Sequence, residues 1–161
     1  MAKQTKTNAL RMLDSAGIPY TVHEYPTDGP LDAVSVANYM KEDPDQVFKT
    51  LVTVSSSGIH YVFCIPGNCE MDLKKCAKSV GEKSIAMIPQ KELLPLTGYI
   101  HGGCSPVGMK KPFTTVIHET AMLYDTIFVS AGKVGMQAEL NPEKLKDLIG
   151  AKYADLTREE E

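Results

Sequence analysis

Apolar residues recur at helical spacing in four segments of the chain, and each segment begins at a residue suited to cap a helix N-terminus. The candidate caps are Thr7, Asp32 or Ser35, Asp72, and Asn141. Glycine follows three of the segments, where a helix commonly ends. The pattern predicts helices over residues 7–16, 35–40, 73–80 and 144–149, and a helical turn over 90–94 that Pro95 ends.

Between these helices, polar and apolar residues alternate with the period of two that is typical of β-strands. Strands are predicted at residues 20–25, 47–54, 59–65, 84–88, 113–118, 126–130 and 136–140. Short turn segments at 55–58 and 132–135 join two pairs of these strands into hairpins. Hairpins combined with crossover helices predict an α+β fold, in which helices surround a mixed sheet, and not a doubly wound parallel sheet.

Length and composition fit one compact domain over residues 1–161. The chain has 161 residues, of which 43% are hydrophobic and 23% charged, as is usual for globular proteins. It contains no internal repeat, low-complexity tract, linker or apolar run of the ~20 residues that span a bilayer. Its four cysteines form neither a C-x-x-C pair nor a zinc spacing, so we expect reduced thiols in the cytoplasm and no metal site.

Charge is unevenly distributed along the chain. The net charge is −3, which argues against a general polyanion binder. Residues 74–111 nevertheless hold seven lysines against Glu82 and Glu92. This basic middle segment could contact an RNA backbone, or it could be a solvated lysine face.

Two stretches are candidates for chemistry. Residues 97–108 hold four of the twelve glycines and Pro106, so the loop can present backbone groups to a ligand or can be a tight surface turn. Lys49 lies near the start of a strand rich in Val, Leu and Phe, where it either needs a partner or extends its amine to water.

Four segments, taken in order, resemble the YbaK family of free-standing aminoacyl-tRNA deacylases, which are related to the editing insertion of bacterial prolyl-tRNA synthetases. They are residues 48–51 (FKTL), 74–81 (KKCAKSVG), 97–108 (TGYIHGGCSPVG) and 128–135 (FVSAGKVG). The resemblance covers nearly the whole chain and implies a largely antiparallel, curved mixed sheet with no cofactor.

The resemblance also implies a set of site residues. The catalytic group would be Lys49, Gly102 and Gly103, with Lys49 holding the substrate's terminal nucleotide or its carbonyl. The substrate would contact Tyr25, Thr50, Ser105, Pro106, Gly108 and Ser130. Family members often carry Phe where this chain has Leu31-Asp32, so the shape of its pocket is expected to differ.

The implied activity is removal of cysteine from proline tRNA, in which the substrate's own thiol attacks the ester. Alanine-charged proline tRNA is the nearest alternative substrate, because one small side chain is hard to distinguish from another. A non-catalytic module that binds aminoacyl-tRNA or a synthetase would use the same residues. A third alternative is a hydrolase with Cys104 as nucleophile and His101 as base. Prolyl-tRNA synthetase is the expected protein partner, and no membrane association is expected.

Overall fold

The computed structural model describes residues 6–158. Five helices lie in this part of the chain: α1 (Asn8–Ser15), α2 (Ala33–Met40), α3 (Leu73–Val80), α4 (Leu93–Thr97) and α5 (Pro142–Ile149). The described strands are β1 (Tyr20–Glu24), β2 (Phe48–Ser55), β3 (His60–Pro66), β4 (Ile85–Met87), β5 (Thr114–His118), β6 (Ile127–Lys133), β7 (Met136–Leu140) and β8 (Lys152–Ala154).

Side-chain caps begin four of the helices, as the sequence predicts. The side chains of Thr7, Asp72 and Asn141 accept backbone N–H groups from the first turns of α1, α3 and α5. For α2 the cap is Asp32, whose carboxylate accepts the Ser35 backbone N–H at 3.2 Å. These caps satisfy N–H groups that have no acceptor inside the helix.

Two local predictions differ from the structure. Pro95 lies inside α4 and does not end the helical turn before it. At the third position of this helix, its missing N–H would have had no intrahelical acceptor, so proline is tolerated there. Strand β8 was not predicted, because it is three residues long and exists through its parallel pairing with β5.

The predicted α+β fold with a mixed, largely antiparallel sheet is confirmed. The strands form two hydrogen-bonded sets, in the orders β1-β7-β6 and β4-β2-β3-β5-β8. Only β3–β5 and β5–β8 pair in parallel among the described strands. A bridge between Val47, just before β2, and Phe128 on β6 connects the two sets.

Helices cover the outer faces of both sheets. Leu10 and Leu13 of α1 and Leu145 of α5 are buried together with Val129 and other apolar residues of β6 and β7. Helix α2 covers the opposite face, where Ala37 packs with Val47 and Phe128. Helix α3 packs through Cys76 and Ala77 against Phe63 of the five-stranded sheet. None of the helices within residues 6–158 is long and apolar enough to cross a membrane.

Candidate functional site

A cavity of about 530 Å³ opens where the two sheets separate. One edge of β2 pairs with β3 along its length, whereas the other edge meets β4 only at Thr53–Ser55. The Val47–Phe128 bridge closes the far end of that second edge. Between these two contacts β2 has no strand partner within residues 6–158, and residues 47–52 line the cavity. Its volume is typical of a small-molecule site.

Lys49 is half-buried at the wall of this cavity. Its ammonium Nζ lies 3.4 Å from the backbone carbonyl oxygen of Gly67, at the end of β3. Within residues 6–158, no carboxylate forms an ion pair with it. The charge is therefore available to a ligand oxygen, because one neutral acceptor leaves donors of this half-buried ammonium unused.

Three of the predicted substrate-binding residues lie at the cavity: Tyr25, Thr50 and Ser130. Tyr25 follows β1, is buried, and stacks on Tyr39 of α2 with ring centroids 6.5 Å apart. Thr50 Oγ1 lies 3.8 Å from the Cys64 sulfur. The structure thus brings together side chains from β2, β6 and the end of β1 that are far apart in sequence.

The glycine loop contributes Gly102 to the cavity, but not Gly103. Gly102 adopts φ +85°, a conformation that favours glycine. The Gly103 N–H donates to the Ile100 carbonyl at 3.0 Å, so that group is already used within the turn. A bond of 2.7 Å from the Tyr99 hydroxyl to the Val107 carbonyl anchors the loop.

Ser105, Pro106 and Gly108 do not line the main cavity. Ser105 is buried, and its hydroxyl accepts the Val107 N–H at 3.2 Å, which stabilises the loop. Pro106 and Gly108 line a smaller pocket of about 200 Å³ on another side. The substrate contacts that the resemblance implies for these three residues remain predictions, and their observed contacts are with the loop and its surroundings.

The chemistry of Cys104 does not suit a nucleophile. Its side chain lines the cavity but is only 8% exposed. Burial raises the pKa of the Cys104 thiol to about 12, so the thiol is protonated at neutral pH. Within the described residues, His101 forms no hydrogen bond with it.

The cavity wall includes three polar residues that the sequence analysis did not place among the substrate contacts: Asp32, Gln90 and Gln137. Hydrogen bonds from the Ser35 hydroxyl and N–H lower the pKa of the Asp32 carboxyl and keep it ionised. Gln137 lies on β7 between Met136 and Ala138, both buried. The sequence signal for Gln137 was a polar residue within a mostly buried strand. It could not be used from sequence alone, because the face of the sheet that α2 covers was not known.

Comparisons with known proteins agree with one another. The family model described as aminoacyl-tRNA editing domain matches residues 31–148, which include every cavity residue named above except Tyr25. A protein of Enterococcus faecalis (strain ATCC 700802 / V583), named as a candidate Cys-tRNA(Pro)/Cys-tRNA(Cys) deacylase, EbsC, is 47% identical over 158 residues. That similarity spans 98% of this chain and 96% of the relative.

Solved structures of similar proteins share the fold of this chain. A crystal structure of a candidate trans-editing enzyme for prolyl-tRNA synthetase has a TM-score of 0.84 and 28% identity, and covers 97% of this chain and 100% of that one. A second crystal structure, of hypothetical protein APE2540, has a TM-score of 0.86 at 19% identity over 94% of this chain and 100% of its own. This second likeness bears on the fold alone.

Proposed function

The chain belongs to the aminoacyl-tRNA editing domain family, and from that premise we propose that it removes cysteine from mischarged proline tRNA. The relative at 47% identity, with its cysteinyl-tRNA name, supports this choice of amino acid. The cavity volume of about 530 Å³ suits an aminoacyl group with part of the terminal nucleotide.

The observation that carries the proposal is the position of Lys49 at the cavity wall, where its only hydrogen-bond partner among residues 6–158 is the backbone carbonyl of Gly67. A positive charge in this position binds the ester carbonyl or the terminal phosphate of the tRNA. If it contacts the carbonyl, it stabilises the negative charge that develops on that oxygen. Gly102 completes this wall with backbone that no Cβ obstructs.

The reaction requires no nucleophile from the protein. We propose that the sulfur of the cysteinyl group attacks its own carbonyl carbon while the ester C–O bond breaks. The thiol proton passes to the departing 3′-oxygen, and the products are a cyclic thioester, which water then opens, and free tRNA. The raised pKa of the Cys104 thiol supports this mechanism over one that uses an enzyme cysteine.

The test is the release of labelled amino acid from cysteinyl- and alanyl-proline tRNA. Lys49→Met keeps most of the aliphatic stem of the side chain and removes its charge, and we expect about a 100-fold or greater loss of kcat/KM on the cysteinyl ester. The matched control is Lys144→Met, because Lys144 is exposed on α5, away from the cavity. The control should release cysteine at the wild-type rate.

The same assay distinguishes the alternatives. Release of alanine as fast as cysteine would contradict thiol assistance, because alanine has no thiol, and would favour an alanine-type deacylase. Binding without release of either amino acid would contradict an enzyme and leave a binding module. Activity of Lys49→Met within a few fold of wild type would contradict the role of Lys49.

We further propose that residues 1–161 act as one editing domain in the cytoplasm and that prolyl-tRNA synthetase supplies tRNA selectivity. The bridge between the two sheets and the cavity shared by both support a single unit. The structural relative named for prolyl-tRNA synthetase supports the partner. If a saturating amount of the synthetase left the KM for cysteinyl-proline tRNA unchanged, the partner proposal would be contradicted.

A further inference from the structure

Asp32 carries the single carboxylate among the described residues that line the main cavity. The residue is exposed, and its carboxylate is open to solvent. Lys49 supplies an ammonium to the same cavity. Apart from the His101 imidazole, the other polar side chains of the lining are hydroxyls, amides and the Cys104 thiol. The cavity therefore presents one anion and one ammonium to the molecule that binds in it.

Two hydrogen bonds within the first turn of α2 hold the Asp32 carboxylate in place. Its Oδ1 accepts the Ser35 hydroxyl at 2.6 Å, and its Oδ2 accepts the Ser35 N–H at 3.2 Å. A carboxylate can accept about four hydrogen bonds, so each oxygen keeps room for a further donor. No cation within residues 6–158 forms an ion pair with Asp32. The group is thus oriented by the helix while its charge stays uncompensated.

The contact between α2 and the end of β3 places Asp32 in the neighbourhood of Lys49. Ala33, the next residue, packs so closely on Gly67 that no Cβ would fit on that glycine. The carbonyl oxygen of the same Gly67 accepts the Lys49 ammonium at 3.4 Å. Asp32 and Lys49 therefore lie close to one glycine and line one cavity without forming an ion pair.

We propose that the Asp32 carboxylate binds the α-ammonium group of the aminoacyl ester. This inference rests on the proposed function, because it names a contact of the same substrate. The α-ammonium is the one cation of the aminoacyl group, and an ionised acceptor forms its strongest hydrogen bonds with an ionised donor. The ester carbonyl and the phosphates are acceptors, so their suitable partner is Lys49. Because the α-amino and carbonyl groups share one carbon atom, two neighbouring protein charges can hold both groups at once.

The contact makes Asp32 a specificity residue. An unblocked ester brings a cation to the carboxylate, whereas an N-acylated ester brings one neutral N–H and an added acyl group. Removing water from an ionised carboxylate without supplying an opposite charge opposes binding. The deacylase is therefore expected to act on elongator aminoacyl-tRNA and to release less from N-blocked esters.

The experiment measures release of labelled cysteine from cysteinyl- and N-acetylcysteinyl-proline tRNA by wild type and Asp32→Asn. Asparagine caps a helix about as well as aspartate but carries no charge. We expect Asp32→Asn to lower kcat/KM on the unblocked ester by about 10- to 100-fold, the range of one hydrogen bond to a charged group. On the acetylated ester the variant should stay within about threefold of wild type, because no charged contact is lost there. Comparing the two proteins on each ester removes the effect of acetylation on the reactivity of the ester itself.

The matched control is Asp43→Asn, which makes the same change in another capping carboxylate. Asp43 is exposed, does not line the cavity, and accepts the Asp45 N–H at 2.9 Å. This control should release cysteine from both esters as wild type does. The Tm of Asp32→Asn should match that of wild type, because an asparagine cap still accepts the Ser35 N–H.

Two results with these esters would overturn the inference: an equal loss on both, which indicates a change in cavity shape, or no loss on the unblocked ester. A tRNA that ends in 2′-deoxyadenosine tests the other donor beside the ester, the ribose hydroxyl. If Asp32→Asn caused no loss with that tRNA, the carboxylate would bind the hydroxyl, and the inference would again be overturned. Failure of the wild type to release cysteine would contradict the proposed function instead, so the two failures are distinguishable.

Discussion

Lys49 and Cys104 both line the cavity, and their surroundings give them different chemistry. Lys49 is half-buried, and among the described residues its ammonium hydrogen-bonds to a single backbone carbonyl, so its charge can bind a ligand. Cys104 is buried, and desolvation raises the pKa of its thiol to about 12. A thiol is a nucleophile only as the thiolate, so this environment suppresses the reactivity that the sequence allowed.

Replacing Cys104 by serine should therefore leave deacylation nearly unchanged. We expect kcat/KM on cysteinyl-tRNA within about threefold of wild type, because no bond to the Cys104 sulfur is made in the reaction. The measurement is the release of labelled cysteine between pH 6 and 9, with Lys49→Met as the inactive reference.

The contradicting outcome is a loss of about 1000-fold in Cys104→Ser, as expected for removal of a nucleophile. Wild-type activity that rose tenfold per pH unit throughout the range would point the same way. A raised pKa means that the thiolate fraction keeps increasing with pH up to the pKa of the thiol, well above this range.

At the scale of elements, the close approach of α2 to the end of β3 shapes the cavity. Gly67 follows β3 at the cavity wall, and a Cβ on it would lie 1.9 Å from the Cβ of Ala33 in the first turn of α2. The absence of that atom lets α2 start beside the cavity, with Asp32 as its cap. Glycine is therefore required at this position for packing and not for a positive φ.

Gly67→Ala should destabilise the protein by about 1–3 kcal/mol, because the added methyl overpacks a helix–strand contact. For a chain of this length, each kcal/mol lowers Tm by about 2–4 °C. The double variant Ala33→Gly/Gly67→Ala moves the methyl from one element to the other and should recover part of the loss. Recovery is partial because the new Cβ still meets the Val47 carbonyl oxygen at 3.2 Å.

The control for this swap is Ala33→Gly alone. Thermal unfolding of the four proteins forms a double-mutant cycle, which isolates the contact between the two positions. If the losses of unfolding free energy in the two single variants simply added in the double variant, the close approach of α2 and Gly67 would not be the cause of the destabilisation.

At the scale of the whole molecule, the charge distribution must admit a polyanion despite the net charge of −3. The lysines of residues 74–111 supply a local positive region, and three of them lie on α3. Helix α3 packs against β4, whose last residue, Met87, lines the cavity. We expect the exposed lysines of α3, Lys74 and Lys78, to contact the tRNA backbone.

Lys78→Glu should weaken tRNA binding through charge alone. Lys78 is exposed on α3, and we expect a higher KM, an unchanged kcat and a slope of log KM against log salt that falls by about 1. Lys144→Glu changes the net charge by the same amount at an exposed position of α5. It should leave the slope of log KM against log salt as in wild type. If both variants changed the salt dependence of KM equally, the cause would be the net charge of the protein and not a contact between α3 and the tRNA.

Much of the fold could be predicted because it depends on residues that are close in sequence. Caps such as Thr7 and Asn141 act on N–H groups within three residues, and one short turn joins the antiparallel strands β6 and β7. Strand β8 escaped prediction because it depends on a pairing with β5, more than thirty residues away. Pro95 was misjudged because its effect depends on where α4 begins.

The sequence by itself determined the helices and hairpins, the α+β class and the family, because capping, alternation and motif order are local properties of the chain. Only the tertiary structure decided where the cavity lies and what faces it. The gap beside β2 exists because β4 and β6 meet different ends of that strand. Burial raises the pKa of the Cys104 thiol, and it leaves the Gln137 amide oxygen without a hydrogen-bond partner within residues 6–158. Both effects depend on strands that are distant in sequence.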